Sequence, residues 1–293
     1  MDLKEYLTSK RQLIEKKLDL MVPENKSIPV ISEAMRYSLL AGGKRLRPIL
    51  AIMSCELFEG REEEVLPFAC CIELIHTYSL IHDDLPAMDN DNLRRGKPTN
   101  HKVFGEGFAV LAGDALLNHA FETMTAIIMK NPKPEYIRAM DVISRASGLL
   151  GMIGGQSIDL YYESKCIDFD TLKSMHEKKT GALITASLVS GAIISGAEEE
   201  DIKNIMEYGN IIGLAFQVAD DILDVSGSEK KLGKSINKDI EFHKSNFISF
   251  FGLDKSRSIA RELIEEAKQK LERYGSKALY LRELSDYIIE RDN

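Results

Sequence analysis

Seven aspartates stand in two tight clusters, IHDDLPAMDNDNLRRG with Asp83, Asp84, Asp89 and Asp91, and FQVADDILD with Asp220, Asp221 and Asp224. On a helix Asp220 and Asp224, four residues apart, share a face. Their apolar neighbours Phe216, Val218, Ile222, Leu223 and Val225 predict burial of that segment. Like charges at this spacing weaken a helix whose only task is to fold, so the pattern asks for a cation between them. Hard carboxylate oxygens with no cysteine nearby suit Mg²⁺, which keeps several waters and binds through one or two carboxylates plus substrate phosphates. In the first cluster a regular helix would set Asp83 and Asp89 roughly 120° apart around its axis. Pro86 cannot donate to the carbonyl of His82 and crowds that turn, so the helix is predicted to distort or end there and let Asp89 swing back toward Asp83. Alone, this cluster is equally an acidic helix end capped by Asp91 and Asn92; two clusters in one chain favour a shared metal site.

Basic residues answer the acidic ones. GGKRLRP, residues 42 to 48, puts Lys44, Arg45 and Arg47 behind Gly42 and Gly43, which can adopt left-handed backbone and let a ligand approach. RRGKP brings Arg94, Arg95 and Lys97 directly after the first aspartates. Each patch alone reads as a helix cap or a set of surface ion pairs. In a chain of net charge −8, however, such concentrations look like anion sites, Arg being suited to bidentate phosphate contacts. Acidic and basic groups together suggest two phosphorylated ligands, one bound through metal and one held by side chains.

The elements that must position these groups are helices. Apolar residues recur at intervals of three and four, as in Ile28, Ile31, Met35 and Leu39 or Ile202, Ile205, Met206 and Ile212, and no segment shows sustained strand-like alternation. Prolines fall mostly between periodic stretches, with Pro29 and Pro67 expected in a helix's first turn. The polar segment 227 to 245, rich in Gly, Ser and Lys, is expected to be a loop between a helix ending near Val225 and another opening near Asp254. The hydrophobic fraction of 44% suffices for a large core, and 29% charged residues predict a soluble globular chain. The net negative charge argues against nucleic acid and anionic lipid as partners. The charged N-terminus lacks the apolar core of a signal peptide, and no apolar run approaches the roughly 20 residues of a membrane span; a cytoplasmic location and no membrane insertion are expected. Cys55, Cys70, Cys71 and Cys166 have no metal-ligand spacing and read as reduced core residues.

In their order along the chain, GGKRLRP, HDDLPAMD with the trailing LRRGKPTNH, GGQSIDL at 154 to 160, KTGALI at 179 to 184, the DDxxD motif in FQVADDILD and LGK at 232 to 234 resemble the trans-isoprenyl diphosphate synthases, and most closely the bacterial-type farnesyl diphosphate synthases. The resemblance implies an all-α fold, a single-domain bundle of about ten to twelve helices around a central apolar cavity, with residues 1–293 forming one polyprenyl synthase domain. It implies a prenyltransferase that condenses isopentenyl diphosphate head to tail with dimethylallyl and geranyl diphosphate, acting as a homodimer with three Mg²⁺ ions. Asp83, Asp89 and Asp220 would bind the metals, supported by Asp84, Asp221 and Asp224. Lys44, Arg47, His76 and Arg95 would bind isopentenyl diphosphate. Arg94, Lys179, Lys234 and Lys244 would hold the allylic diphosphate, and Thr180 and Gln217 would present oxygen dipoles to the developing cation beside Lys179. Tyr78 and Ser79 occupy the positions below Asp83 that set product length, and the aromatic Tyr78 resembles the fifteen-carbon synthases, so farnesyl diphosphate is the expected product. The sequence departs from the family pattern at Asn92, Asn246 and Phe247.

Rival readings are a geranylgeranyl diphosphate synthase of the same family, a terpene cyclase, a noncatalytic prenyl synthase subunit, and a metal phosphohydrolase built on His82 and Asp83. The cyclase does not need Lys44, Arg47 and Arg95, the subunit does not need two intact aspartate motifs, and the phosphohydrolase needs histidine ligands for which His76, His101, His119, His176 and His243 form no cluster. Gly148, Gly151, Gly154 and Gly155 are expected to allow close helix packing, and in the family GGQ lines the allylic pocket.

Overall fold

The computed structural model describes residues 2–163, 165–232 and 245–290. Internal contacts divide the chain into two compact units, Met1–Ile143 with Ser190–Ala197, and Ser144–Val189 with Glu198–Asn293.

The first unit is built on α1 (Leu3–Met21), α2 (Pro29–Leu39), α3 (Leu46–Leu57), α4 (Glu62–Asp83), α5 (Asn100–Phe104), α6 (Glu106–Lys130) and most of α7 (Pro134–Ser147). Helix α4 packs against α6, α3, α1 and α2. It buries Phe68, Ile72, Leu74 and Ile75 completely, each worth roughly 1.5–3 kcal/mol relative to exposure. Because α4 is apolar on nearly every side, it is the one helix among the described residues long and apolar enough, by length and composition, to cross a membrane. With 72% of that window buried, it has the character of a core helix. Pro67 lies one turn further into α4 than expected, where the carbonyl deprived of its donor belongs to exposed Glu63. Helix α1 opens with a capping box between Asp2 and Glu5 and is tied down by Tyr6, whose hydroxyl donates to Glu56 at 2.6 Å, and by Lys10, which bridges Glu56 and Glu62.

The second unit contains α8 (Met152–Tyr161), α9 (Phe169–His176), a π-helical turn at Glu177–Gly181, most of α10 (Ala182–Ile194), α11 (Glu199–Leu232), α12 (Phe247–Phe251), α13 (Leu253–Leu271) and α14 (Leu279–Glu290). Its centre is α11, which packs against α13, α14, α12, α9 and the π turn. Fully buried Tyr208 of α11 donates its hydroxyl to Leu281 O at 3.0 Å and shares a second bond with Ser285.

The fold is all-α, as expected; the five-residue α5 and α12 are too short for periodicity to register. Helix α11 runs on to Leu232 instead of ending near Val225. Gly227 costs about 1 kcal/mol there, but Glu229, Lys230, Lys231 and Leu232 are good helix formers. All four cysteines are free; Cys55, Cys70 and Cys71 are buried as expected, whereas Cys166 is exposed.

Candidate active site

Helix α4 delivers the first acidic motif. It ends at Asp83, three residues before Pro86, and a backbone bond from Asp89 N to Asp83 O (2.9 Å) folds the chain back so that the two aspartates become neighbours. Asp83 is half-buried and Asp89 exposed, whereas Asp84 points inward and is buried. Asp84 accepts from Arg94 Nε at 2.7 Å and Nη2 at 2.6 Å. Burial pushes the Asp84 carboxyl above the usual carboxylate range, opposed by Arg94. Arg94 also reaches Asp91 at 3.5 Å, so here it clamps the acidic loop from within. It stands on a two-residue antiparallel ribbon, β1 (Leu93–Arg94) and β2 (Lys97–Pro98), whose turn residues Arg95 and Gly96 have φ of 54° and 75°, the paired positive values of a tight hairpin. Two-residue strands leave no alternation in the sequence.

The basic motif forms a left-handed turn before α3. Gly42 and Gly43 have φ of 83° and 141°, and the Arg95 guanidinium lies 2.7 Å from where a Cβ on Gly43 would stand, donating from Nη1 to Gly42 O. A Cβ there would push that guanidinium aside, and the positive φ of Gly43 itself favours glycine. Lys44 is exposed at the tip, and Arg47 donates from Nη1 to His76 Nε2 across 3.2 Å. His76 therefore accepts, and burial together with Arg47, Arg95, Arg94 and Arg45 holds its imidazole well below the usual 6.5. The turn also holds a pair that sequence reading missed: Arg45, itself left-handed at φ 50°, reaches Glu73 inside the core.

Below Asp83, Tyr78 is 5% exposed, and its hydroxyl has no hydrogen-bond partner among the described residues. Its ring meets His82 edge to face at 5.7 Å, and burial pushes its pKa up to about 12. Ser79 donates to His76 O at 2.9 Å. His82 fills the space left by Gly113, where a Cβ would fall 2.1 Å from its Nε2, and contacts Val110 O at 3.0 Å. It packs α4 onto α6, which removes the His82 and Asp83 phosphohydrolase reading.

In the second unit the π turn carries Lys179 and Thr180. It is crowded from both sides by glycines: a Cβ on Gly155 of α8 would stand 2.2 Å from Lys179 N, and one on Gly213 of α11 would stand 2.7 Å from Gly181 Cα. Lys179 Nζ donates to Asp159 at 2.7 Å. Asp159 lies within GGQSIDL, and its charge on a helix otherwise rich in apolar residues was the available signal. Thr180 Oγ1 donates to Gln217 Oε1 (3.0 Å), Gln217 Nε2 donates to Asp221 (3.0 Å), and Phe247 N donates to the other Asp221 oxygen (2.9 Å). Buried His176 lies 3.8 Å from that oxygen and stacks on Phe247. Burial pushes the Asp221 carboxyl up to about 6, opposed by those hydrogen bonds.

The two motifs share a pattern. The middle aspartates, Asp84 and Asp221, are buried and tie neighbouring segments down, while the outer ones are turned outward, Asp83 and Asp220 half-buried, Asp89 and Asp224 exposed. Among the described residues no three His, Cys, Asp or Glu side chains form a ready-made metal cage. Outward carboxylates without sulfur or imidazole fit Mg²⁺, which takes part of its shell from water and substrate phosphate. Lys234 and Lys244 lie outside the described residues.

Comparison with known proteins agrees with this arrangement. Residues 28–281 match the polyprenyl synthetase family. The chain is 45% identical to a geranylgeranyl diphosphate synthase of Cyanophora paradoxa, covering 98% of this chain and 96% of that one. It is 46% identical to the large subunit 1 of a heterodimeric chloroplastic geranylgeranyl pyrophosphate synthase of Arabidopsis thaliana, covering 100% and 80%. A solved FPP/GFPP synthase from Zymomonas mobilis superposes with a TM-score of 0.88 at 40% identity over 98% of both chains. With its motifs in the family's order and the family's fold around them, the chain belongs to the polyprenyl synthetases.

Proposed function

We propose that this chain is a Mg²⁺-dependent prenyl diphosphate synthase that extends allylic diphosphates by isopentenyl units to a twenty-carbon geranylgeranyl product, with residues 1–293 acting as one domain. The observation that carries this reading is the repeated motif geometry: two acidic clusters, each with outward outer aspartates and an inward middle one, in a chain that also builds a turn of stacked cations around a neutral histidine. The names of the curated relatives favour twenty carbons over the farnesyl product expected from sequence.

In this account Lys44, Arg47, His76 and Arg95 bind the isopentenyl diphosphate. Arg94, Lys179, Lys234 and Lys244 hold the allylic diphosphate, and Asp83, Asp89 and Asp220 hold the Mg²⁺ ions, supported by Asp84, Asp221 and Asp224. When bound, the metal supplies charge neutralisation to departing pyrophosphate. The allylic C–O bond breaks, and Thr180 and Gln217 offer oxygen dipoles to the cation left behind. The isopentenyl double bond attacks that carbon, and a proton leaves to the released pyrophosphate. Fixed dipoles and excluded water are the protein's contribution, and no protein nucleophile takes part. Asp159 restrains Lys179 until a diphosphate competes for it.

A second reading, farnesyl diphosphate, is favoured by Tyr78, a buried aromatic one turn before the first aspartate motif. Incubating the purified chain with isopentenyl diphosphate and dimethylallyl, geranyl or farnesyl diphosphate, followed by product sizing, separates the two. On the twenty-carbon reading farnesyl diphosphate is consumed. If extension stops at fifteen carbons and Tyr78→Ala releases it, the second reading holds; no extension of any primer refutes both.

A homodimer belongs to the proposal, supported by Phe108, Val110 and Leu111, which leave an apolar patch exposed at the start of α6. So does a cytoplasmic location; the chloroplast in the Arabidopsis relative's name belongs to that protein.

A further inference from the structure

The turn that presents Lys44 and Arg47 is held from inside by an ion pair. Arg45 is a non-glycine residue in left-handed backbone, φ 50° and ψ 35°, at the start of α3. Such a residue persists only where surrounding contacts over-determine it. Arg45 and Glu73 are each 2% exposed. Arg45 Nη1 donates to Glu73 Oε1 at 2.8 Å, and its Nη2 donates to Leu39 O at 2.6 Å, the end of the preceding helix. One guanidinium thus fixes both ends of the Gly42 and Gly43 turn. Glu73 sits on α4 one turn before His76, and Arg47, two residues beyond Arg45, reaches that histidine. Glu73 and His76 thus lie one turn apart on α4, and their partners Arg45 and Arg47 lie two residues apart at the start of α3. A buried pair of this kind is weak evidence for stability, since apolar residues of similar volume often do as well; its value lies in geometry.

Resting on the function proposed above, we infer that Glu73, acting through Arg45, is a positioning residue for the isopentenyl diphosphate site, setting the spacing of Lys44 and Arg47 against His76 and Arg95. Neither Glu73 nor Arg45 touches substrate in this account. Removing the carboxylate frees the turn, so the cations no longer converge before the ligand arrives, and binding of isopentenyl diphosphate weakens while the allylic substrate is unaffected.

The test compares wild type, Glu73→Asp, Glu73→Gln and the double variant Arg45→Met with Glu73→Leu by melting temperature and by KM for each substrate. Glu73→Gln is expected to raise the KM for isopentenyl diphosphate about tenfold and leave that for the allylic diphosphate within about twofold, with Glu73→Asp between it and wild type. The double variant, apolar on both sides, is expected to melt near wild type yet keep the raised KM. A double variant with wild-type melting and wild-type KM overturns the inference. Should the stronger variants not fold, Glu73→Asp decides: a rise in the isopentenyl KM alone supports the inference, and equal rises or none overturn it. Calorimetric titration of isopentenyl diphosphate into the same proteins without allylic substrate keeps the two claims apart. If the wild type binds it but makes no product, the reaction assignment fails, and the positioning claim is judged on the variants' Kd alone.

Discussion

His76 shows how a single side chain is set by its surroundings. Burial and, after it, four arginines keep it neutral, accepting from Arg47. Its folded pKa lies below the unfolded value near 6.5, so the unfolded chain takes up a proton that the folded chain refuses. The stability this group contributes is present above about pH 6.5 and is lost as the pH falls below it. Unfolding curves at pH 7.5 and 5.5 should show wild type losing more stability than His76→Gln across that interval; equal losses would show that His76 titrates normally. The sequence marked His76 only by resemblance, because the arginines surrounding it come from residues 45 to 95 and no local pattern joins them. The outer aspartates were legible, since spacing and apolar flanks are written in the chain. The inward turn of Asp84 and Asp221 was not, because it depends on Arg94 and on the Phe247 backbone N–H.

At the scale of elements, the π turn at Glu177–Gly181 places Lys179 and Thr180 by inserting one extra residue into a helical turn. Periodicity cannot reveal such a turn, although KTGALI could be recognised by resemblance. Of the two glycines packed on it, Gly155 was legible as a small residue for close packing, but not the backbone it approaches, and Gly213 carried no signal. Gly155→Ala puts a methyl 2.2 Å from Lys179 N, and only backbone movement relieves it. Expected outcomes are a loss of about 1–3 kcal/mol in denaturant unfolding and a fall in kcat of at least about tenfold as Lys179 and Thr180 shift. Wild-type kcat in the variant would remove the π turn from the catalytic account. The end of α4 was better foretold: Pro86 and Asp89 announce a chain reversal, and the Asp89 N to Asp83 O bond is how it is made. The ribbon carrying Arg94 and Arg95 is too short to leave any pattern.

For the whole molecule, composition and periodicity foretold the all-helical architecture, because the long helices bury an apolar stripe or, in α4, more than half of the side chains. They say nothing of assembly. The exposed Phe108, Val110 and Leu111 on α6 predict that Leu111→Asp converts a dimer into a monomer by light scattering while helical content is retained; a wild type that is monomeric at the same concentration removes the prediction's basis. In the proposed function each aspartate motif holds Mg²⁺ for turnover of the allylic diphosphate. The most direct test of that role is incorporation of labelled isopentenyl diphosphate into prenyl product from dimethylallyl diphosphate, by wild type, Asp83→Asn and Asp220→Asn, with Mg²⁺ or with EDTA. Product is expected from wild type with Mg²⁺, none with EDTA, and a drop of about a hundredfold or more in each variant. Undiminished turnover in EDTA, or in both asparagine variants, would contradict it.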